Sequence, residues 1–124
     1  MKNDPGKSIL IVEDDISSQQ YYTIVLDGLY ELQIVPTASD ARALLKEHDY
    51  VIAIIDLSLP GDVDGIALIK YIRNEISQNL PILAITAHAF SQSRTAAIKA
   101  GATEYFTKPI LSTDLIDAMK RVQS

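Results

Sequence analysis

Val51-Ile52-Ala53-Ile54-Ile55-Asp56 is an unbroken apolar run that ends in a single carboxylate. The residues after it, Leu57-Ser58-Leu59-Pro60-Gly61, bring the proline and glycine that stop a strand. A short apolar run bounded by breakers reads as a strand buried on both faces, as in a parallel sheet. In open α/β sheets the functional crevice lies just beyond the carboxyl ends of the strands. Asp56 therefore stands where such a fold places a working group. An aspartate here can also simply open a turn by bonding its own backbone.

The neighbouring segments repeat the pattern. Ile9-Leu10-Ile11-Val12 ends in Glu13-Asp14-Asp15, and Ile82-Leu83-Ala84-Ile85 ends in Thr86. Glu31 to Val35 alternates weakly, as an outer strand would before Pro36, and Tyr105-Phe106-Thr107 is a short strand leading to Lys108-Pro109. Between these runs the apolar period lengthens to that of helices. Tyr21, Val25 and Leu29, with Tyr22 and Leu26 beside them, predict a helix stopped near Gly28. Thr37 or Ser39 can cap a helix carrying Ala41, Leu44 and Leu45. Gly65 opens a helix with Leu68, Ile69, Ile72 and Ile76, and Ser91 to Ala100 forms a polar one followed by Gly101. Ser112 or Thr113 caps a last helix with Leu115, Met119 and Val122 inward. Asp114 in its first turn and Lys120-Arg121 in its last suit the helix dipole.

Five strands alternating with five helices predict an α/β fold: a parallel sheet covered on both faces, its three most apolar strands central. By analogy with doubly wound flavodoxin-like folds the strand order is 2-1-3-4-5. The chain of 124 residues is expected to form one domain over 1–124, with its core at about 8–122. It has no cysteine, which removes disulfide and thiolate chemistry. A formal net charge of -5 disfavours direct binding to nucleic acid or an anionic membrane. Residues 1–6 lack the apolar stretch of a signal peptide, and no segment approaches the ~20 apolar residues of a membrane span. A cytoplasmic location is the corresponding expectation.

In a parallel sheet Glu13-Asp14, Asp56, Thr86 and Lys108 meet at one edge. Each has a plainer role available: Asp14 or Asp15 could cap the first helix, Thr86 the fourth, and Lys108 could be a solvated loop charge. Clustered carboxylates repel, and two unit charges ~4 Å apart cost about 4 kcal/mol at an effective dielectric near 20. Magnesium, which takes hard oxygen ligands, is the natural remedy. Zinc is disfavoured, since His48 and His88 fall on different elements. A carboxylate beside magnesium, with lysine and threonine near, suits phosphoryl transfer, which needs positioning and charge neutralisation more than covalent help. Asp56 would attack, Lys108 and magnesium would neutralise charge, and Thr86 would bond an oxygen. A cis Lys108-Pro109 bond could aim the lysine inward.

From Ser8 to Val122 the chain resembles the receiver domain of two-component response regulators. The resemblance rests on Glu13-Asp14, on Asp56 with Leu59-Pro60 and Asp64-Gly65, on Thr86-Ala87, and on Gly101-Ala102 with Tyr105 and Lys108-Pro109. It implies a flavodoxin-like fold and transfer to Asp56 from a phosphohistidine of a histidine kinase or histidine phosphotransfer protein. It implies magnesium held directly by Asp14 and Asp56, through water by Glu13, and by the backbone carbonyl of Ser58. It makes Thr86 and Tyr105 switch residues: Thr86 moves toward the phosphoryl group and Tyr105 turns inward. The fourth helix, last strand and last helix then form the face for a downstream protein. Such a domain is a self-catalysed phosphoacceptor with slow autodephosphorylation rather than a conventional turnover enzyme.

The chain departs from the family pattern in three places. The loop from Pro60 to Asp64-Gly65 is one residue longer than usual, Glu13 replaces a common aspartate, and Ser58 and His88 occupy positions that tune acyl-phosphate lifetime. If the chain is complete, no output domain is expected after the last helix. This suits a stand-alone receiver that docks to another protein, a reading that Met1 favours, or a receiver cut from a hybrid kinase, whose sequences Thr86-Ala87-His88-Ala89 resembles. Two other classes compete. A magnesium-dependent phosphatase with an aspartyl nucleophile commonly has a second Asp two residues on, where this chain has Ser58. A degenerate receiver that binds partners without phosphate would not need the set Glu13, Asp14, Asp56, Thr86 and Lys108. Flavin binding is weaker, because no phosphate-cradling loop follows Val12.

Overall fold

The computed structural model describes residues 8–58, 65–87 and 91–123. Five parallel strands, β1 (Ser8–Val12), β2 (Glu31–Val35), β3 (Ile52–Asp56), β4 (Ile82–Thr86) and β5 (Glu104–Thr107), form one sheet in the order β2-β1-β3-β4-β5. Between and after them run α1 (Ile16–Val25), α2 (Ala38–Glu47), α3 (Gly65–Tyr71), α4 (Ser91–Ala100) and α5 (Ser112–Gln123). This is the doubly wound, flavodoxin-like arrangement, with the most apolar strands β1, β3 and β4 at its centre.

Strand side chains alternate between two faces, so each central strand feeds two cores. Leu10, Val12, Ala53, Ile55, Ile82 and Ala84 pack with Ala41 and Leu45 of α2, Leu68 and Ile69 of α3, and Ala97 of α4. Ile9, Ile11, Ile52, Ile54, Leu83 and Ile85 pack with Tyr22 of α1 and with Leu115, Ala118 and Met119 of α5. Burying one such large aliphatic side chain contributes about 1.5–3 kcal/mol, which makes the two faces the main source of cohesion. The apolar runs had to be continuous because neither side of these strands meets water.

Several local boundaries differ from the sequence-based expectation. α1 ends at Val25, before Gly28, and Leu26 turns into the core while Leu29 is 46% exposed. The fourfold spacing fails there because the chain leaves the helix before Leu29. α5 starts at Ser112, and the carbonyl of Leu111 accepts the first bond from the Leu115 N–H, so Thr113 lies inside the helix. β5 starts one residue earlier than expected, at Glu104. Thr37, rather than Ser39, caps α2 by accepting the Asp40 N–H.

α3 runs on into a π-helical segment, Ile72–Ile76. Arg73 of this segment donates to the carbonyls of Ser77 and Gly101 and so ties the end of the helix to the α4–β5 turn. Gly101 has φ of 125°, a backbone conformation in which any side chain would be strained. Leu59-Pro60, Asp64 with the lengthened loop, and His88 lie outside the described residues. Among the described residues no helix is long and apolar enough to cross a membrane.

Candidate functional site

Backbone bonds continue the sheet ladder past the strand ends and thereby place the functional side chains. The Glu13 N–H donates to Val35 O, the Leu57 N–H to Ile85 O, and the Lys108 N–H to Thr86 O. In register Asp56 lies opposite Ile85, and Thr86 opposite Thr107. Glu13, Asp14, Asp56, Thr86 and Lys108 accordingly share the C-terminal edge of the sheet, as the parallel polarity requires.

At that edge one carboxylate oxygen from each of Glu13, Asp14 and Asp56 lies within 4.8 Å of the others. Glu13 and Asp56 are buried, with 1% and 5% of their surface exposed, whereas Asp14 faces solvent. The Lys108 ammonium stands 2.7 Å from Glu13 Oε1 and 3.4 Å from Asp56 Oδ2. Lys108 is therefore no solvated loop charge. Its bond to Pro109 is cis.

Each acid is held by the local chain. Asp56 Oδ1 accepts the Ser58 N–H at 3.0 Å, so the turn-opening role and the site role coexist in one side chain. Glu13 Oε2 accepts the Asp15 N–H at 3.1 Å, and its carbonyl accepts Gln19 Nε2 at 2.6 Å. Asp15 caps α1 through the Ser18 N–H, which leaves Asp14 uncommitted to that cap. Thr86 is buried and is the last residue of β4, and the reading of it as a cap for the fourth helix falls on residues outside those described. Tyr105 is half-buried against the α2–α3–α4 core, with the Arg94 guanidinium 6.0 Å from the centre of its ring.

The electrostatics follow from burial beside like charges. Burial pushes Glu13 above the ordinary carboxylate range; the hydrogen bonds from Lys108 and the Asp15 N–H oppose this, and Asp56 adds to the rise. For Lys108, burial works against the charge, but the bond to Glu13 and the two neighbouring carboxylates outweigh it and hold the ammonium above its usual value. Burial, followed by the charges of Glu13 and Asp56, raises Tyr22. Hydrogen bonds from Ser18 hold Asp15 below the usual aspartate range.

The oxygen-only donor set fits a hard divalent cation such as magnesium. Three carboxylates face one ammonium, so the cluster carries more negative than positive charge before any cation binds. Sequence reasoning missed Ser18, whose Oγ lies 3.3 Å from the Lys108 ammonium, and Gly65, which lies against the backbone of Asp56. Ser18 stands three residues after the capping Asp15, but nothing in the local pattern aims its hydroxyl across the site. The glycine at the start of α3 was the only sequence signal of the close approach.

Residues 9–120 match the model of the response regulator receiver domain. The chain is 36% identical over 118 residues to the transcriptional regulatory protein PhoP of Escherichia coli K12, covering 94% of this chain and 50% of PhoP. It spans about half the length of the curated relatives it matches. Two solved structures cover the chain almost completely. The receiver domain of the sensor histidine kinase PA1611 from Pseudomonas aeruginosa PAO1, with a magnesium ion coordinated in its active-site cleft, is 30% identical with a TM-score of 0.86 over 96% of this chain and 99% of that one. A CheY-like receiver domain protein from Methanospirillum hungatei JF-1 is 27% identical with a TM-score of 0.86, over 94% and 92%. With the strand order, the acidic edge and these matches in agreement, the chain belongs to the response regulator receiver domains of two-component systems.

Proposed function

We propose that the chain is a phosphoacceptor that takes a phosphoryl group onto Asp56 from a phosphohistidine of a histidine kinase or histidine phosphotransfer protein. The observation that carries this reading is the Lys108 ammonium, set between buried Glu13 and buried Asp56 beside the Asp14 carboxylate. A carboxylate oxygen of Asp56 forms the new P–O bond as the donor P–N bond breaks, and the electron pair returns to the imidazole. Lys108 neutralises charge on the phosphoryl oxygens, and the Thr86 hydroxyl bonds one of them.

Asp14 and Asp56 would hold magnesium directly, with Glu13 through water and the Ser58 carbonyl completing the protein's share. The ion supplies charge neutralisation for the transferring group. The magnesium in the PA1611 receiver domain supports this assignment. Thr86 and Tyr105 act as the switch, and α4, β5 and α5 present the face that a downstream protein reads. Residues 1–124 form one receiver domain with its core at about 8–122. It works in the cytoplasm as a self-modifying signalling module rather than as a turnover enzyme.

Incubation with acetyl phosphate and magnesium, read by intact mass, tests the reading. One added phosphoryl group is expected on the wild-type chain and none on Asp56→Asn. Rapid turnover of a phosphomonoester with no adduct would instead make the protein an aspartyl phosphatase.

A further inference from the structure

An ammonium has three N–H donors, and the Lys108 head group has three acceptors: Glu13 Oε1 at 2.7 Å, Ser18 Oγ at 3.3 Å and Asp56 Oδ2 at 3.4 Å. Two of these belong to the carboxylate cluster that fits a divalent cation. Ser18 is the neutral acceptor outside that cluster. It is itself held in place, because its backbone N–H donates to Asp15 Oδ2 at 2.9 Å in the first turn of α1.

One turn further along the same helix face, the Tyr21 hydroxyl donates to the carbonyl of Ile110 at 2.5 Å. Helix α1 thus grips the segment after β5 twice, at the head group of Lys108 and at the backbone of Ile110. Between the two grips lies a cleft of about 240 Å³ walled by Tyr21, Tyr22, Pro109 and Ile110.

We propose that Ser18 is a positioning residue for Lys108, and that its hydroxyl anchors the ammonium to α1 through a contact independent of the metal-binding carboxylates. The proposal deepens the phosphoacceptor reading and rests on it for its consequence in transfer. A lysine is a flexible four-carbon stem with a strongly hydrated head. When its carboxylate acceptors are committed to a cation, a side chain held by them alone would be free to swing into water. Ser18 keeps the head group beside Asp56, so that less ordering is left to do when the phosphoryl group arrives.

The test compares wild type, Ser18→Ala and Ser18→Thr in the full chain. Alanine keeps the backbone N–H that meets Asp15 and loses only the hydroxyl's share of that contact, so the cap on α1 and the fold should survive, which thermal melting checks. With magnesium bound and no phosphoryl donor, a slowly exchanging Lys108 ammonium signal, observed by nitrogen-15 NMR, is expected in wild type and in Ser18→Thr and should disappear in Ser18→Ala. With acetyl phosphate, Ser18→Ala should form the adduct about three- to tenfold more slowly, at unchanged magnesium affinity, and Ser18→Thr should restore the rate.

An unaltered lysine signal in Ser18→Ala would overturn the proposal. So would a rate that falls only in step with magnesium affinity, or one that threonine does not restore. A wild-type chain that takes no phosphoryl group would sink the phosphoacceptor reading, while the magnesium-bound lysine signal would still decide whether Ser18 is an anchor.

Discussion

Gly65 and Asp56 touch backbone to backbone: a Cβ on Gly65 would stand 2.5 Å from the Asp56 carbonyl oxygen and 2.6 Å from the Leu57 Cα. The start of α3 therefore rests directly on the end of the strand that carries the proposed phosphoacceptor. Neither obstacle is a side-chain tip that could swing aside. Gly65→Ala is expected to destabilise the protein by about 1–3 kcal/mol, the usual cost of forced overpacking, and to weaken magnesium binding by displacing Asp56. Urea denaturation and a magnesium titration measure the two effects; wild-type values in both would show that α3 can shift without disturbing the site.

Lys108→Ala removes the cation that faces buried Glu13. In metal-free buffer the variant should lose about 1–3 kcal/mol, less than for a fully buried pair because the lysine side chain is 22% exposed. Magnesium should recover part of that loss. Its affinity should be no weaker than in wild type, since Lys108 is a competitor for the carboxylates and not a ligand, while adduct formation slows. A large drop in metal affinity would mean that Lys108 organises the acids rather than serving the phosphoryl group.

Thr86→Ala is expected to separate modification from response. The hydroxyl lies at the end of β4 and is buried, whereas the acids that would bind metal belong to β3 and to the turn after β1. The variant should still form the adduct but should lose the change at α4, β5 and α5 that accompanies it. Amide exchange of that face with and without beryllofluoride reads the difference. Failure to form the adduct at all would assign Thr86 to chemistry instead of signalling.

On the β5–α5 surface Arg121 grips Glu104 with two bonds, of 2.9 and 2.6 Å. That pairing holds Glu104 below the ordinary carboxylate range. A carboxylate whose folded pKa is depressed contributes stability above its unfolded pKa and loses it as pH falls through the folded one. Arg121→Ala should thus lower the melting temperature slightly at neutral pH, and the gap to wild type should close on acidification below the usual glutamate pKa. Added salt should narrow the gap as well, because the pair is partly solvated. A gap that persists in acid would point to lost packing by the arginine stem.

The sheet and the convergence at its edge were legible from the chain itself. Apolar runs closed by Asp56, Thr86 and Glu13-Asp14 report strands buried on both faces, and parallel polarity leaves their ends no choice but to share one edge. Helical period likewise announced α2, α3 and α5, whose buried residues fall where the spacing places them. Local pattern was weaker at helix ends, which is why Leu29, after the end of α1, and the cap at the start of α5 were misread. Tertiary structure alone decided the partners of the site. Lys108 meets Glu13 across 95 positions of sequence, and Tyr21 meets Ile110 across 89. Periodicity constrains which face a residue takes, but the choice of acceptor for a lysine depends on distances of a few ångströms, set only when α1 and the segment after β5 pack onto the same end of the sheet.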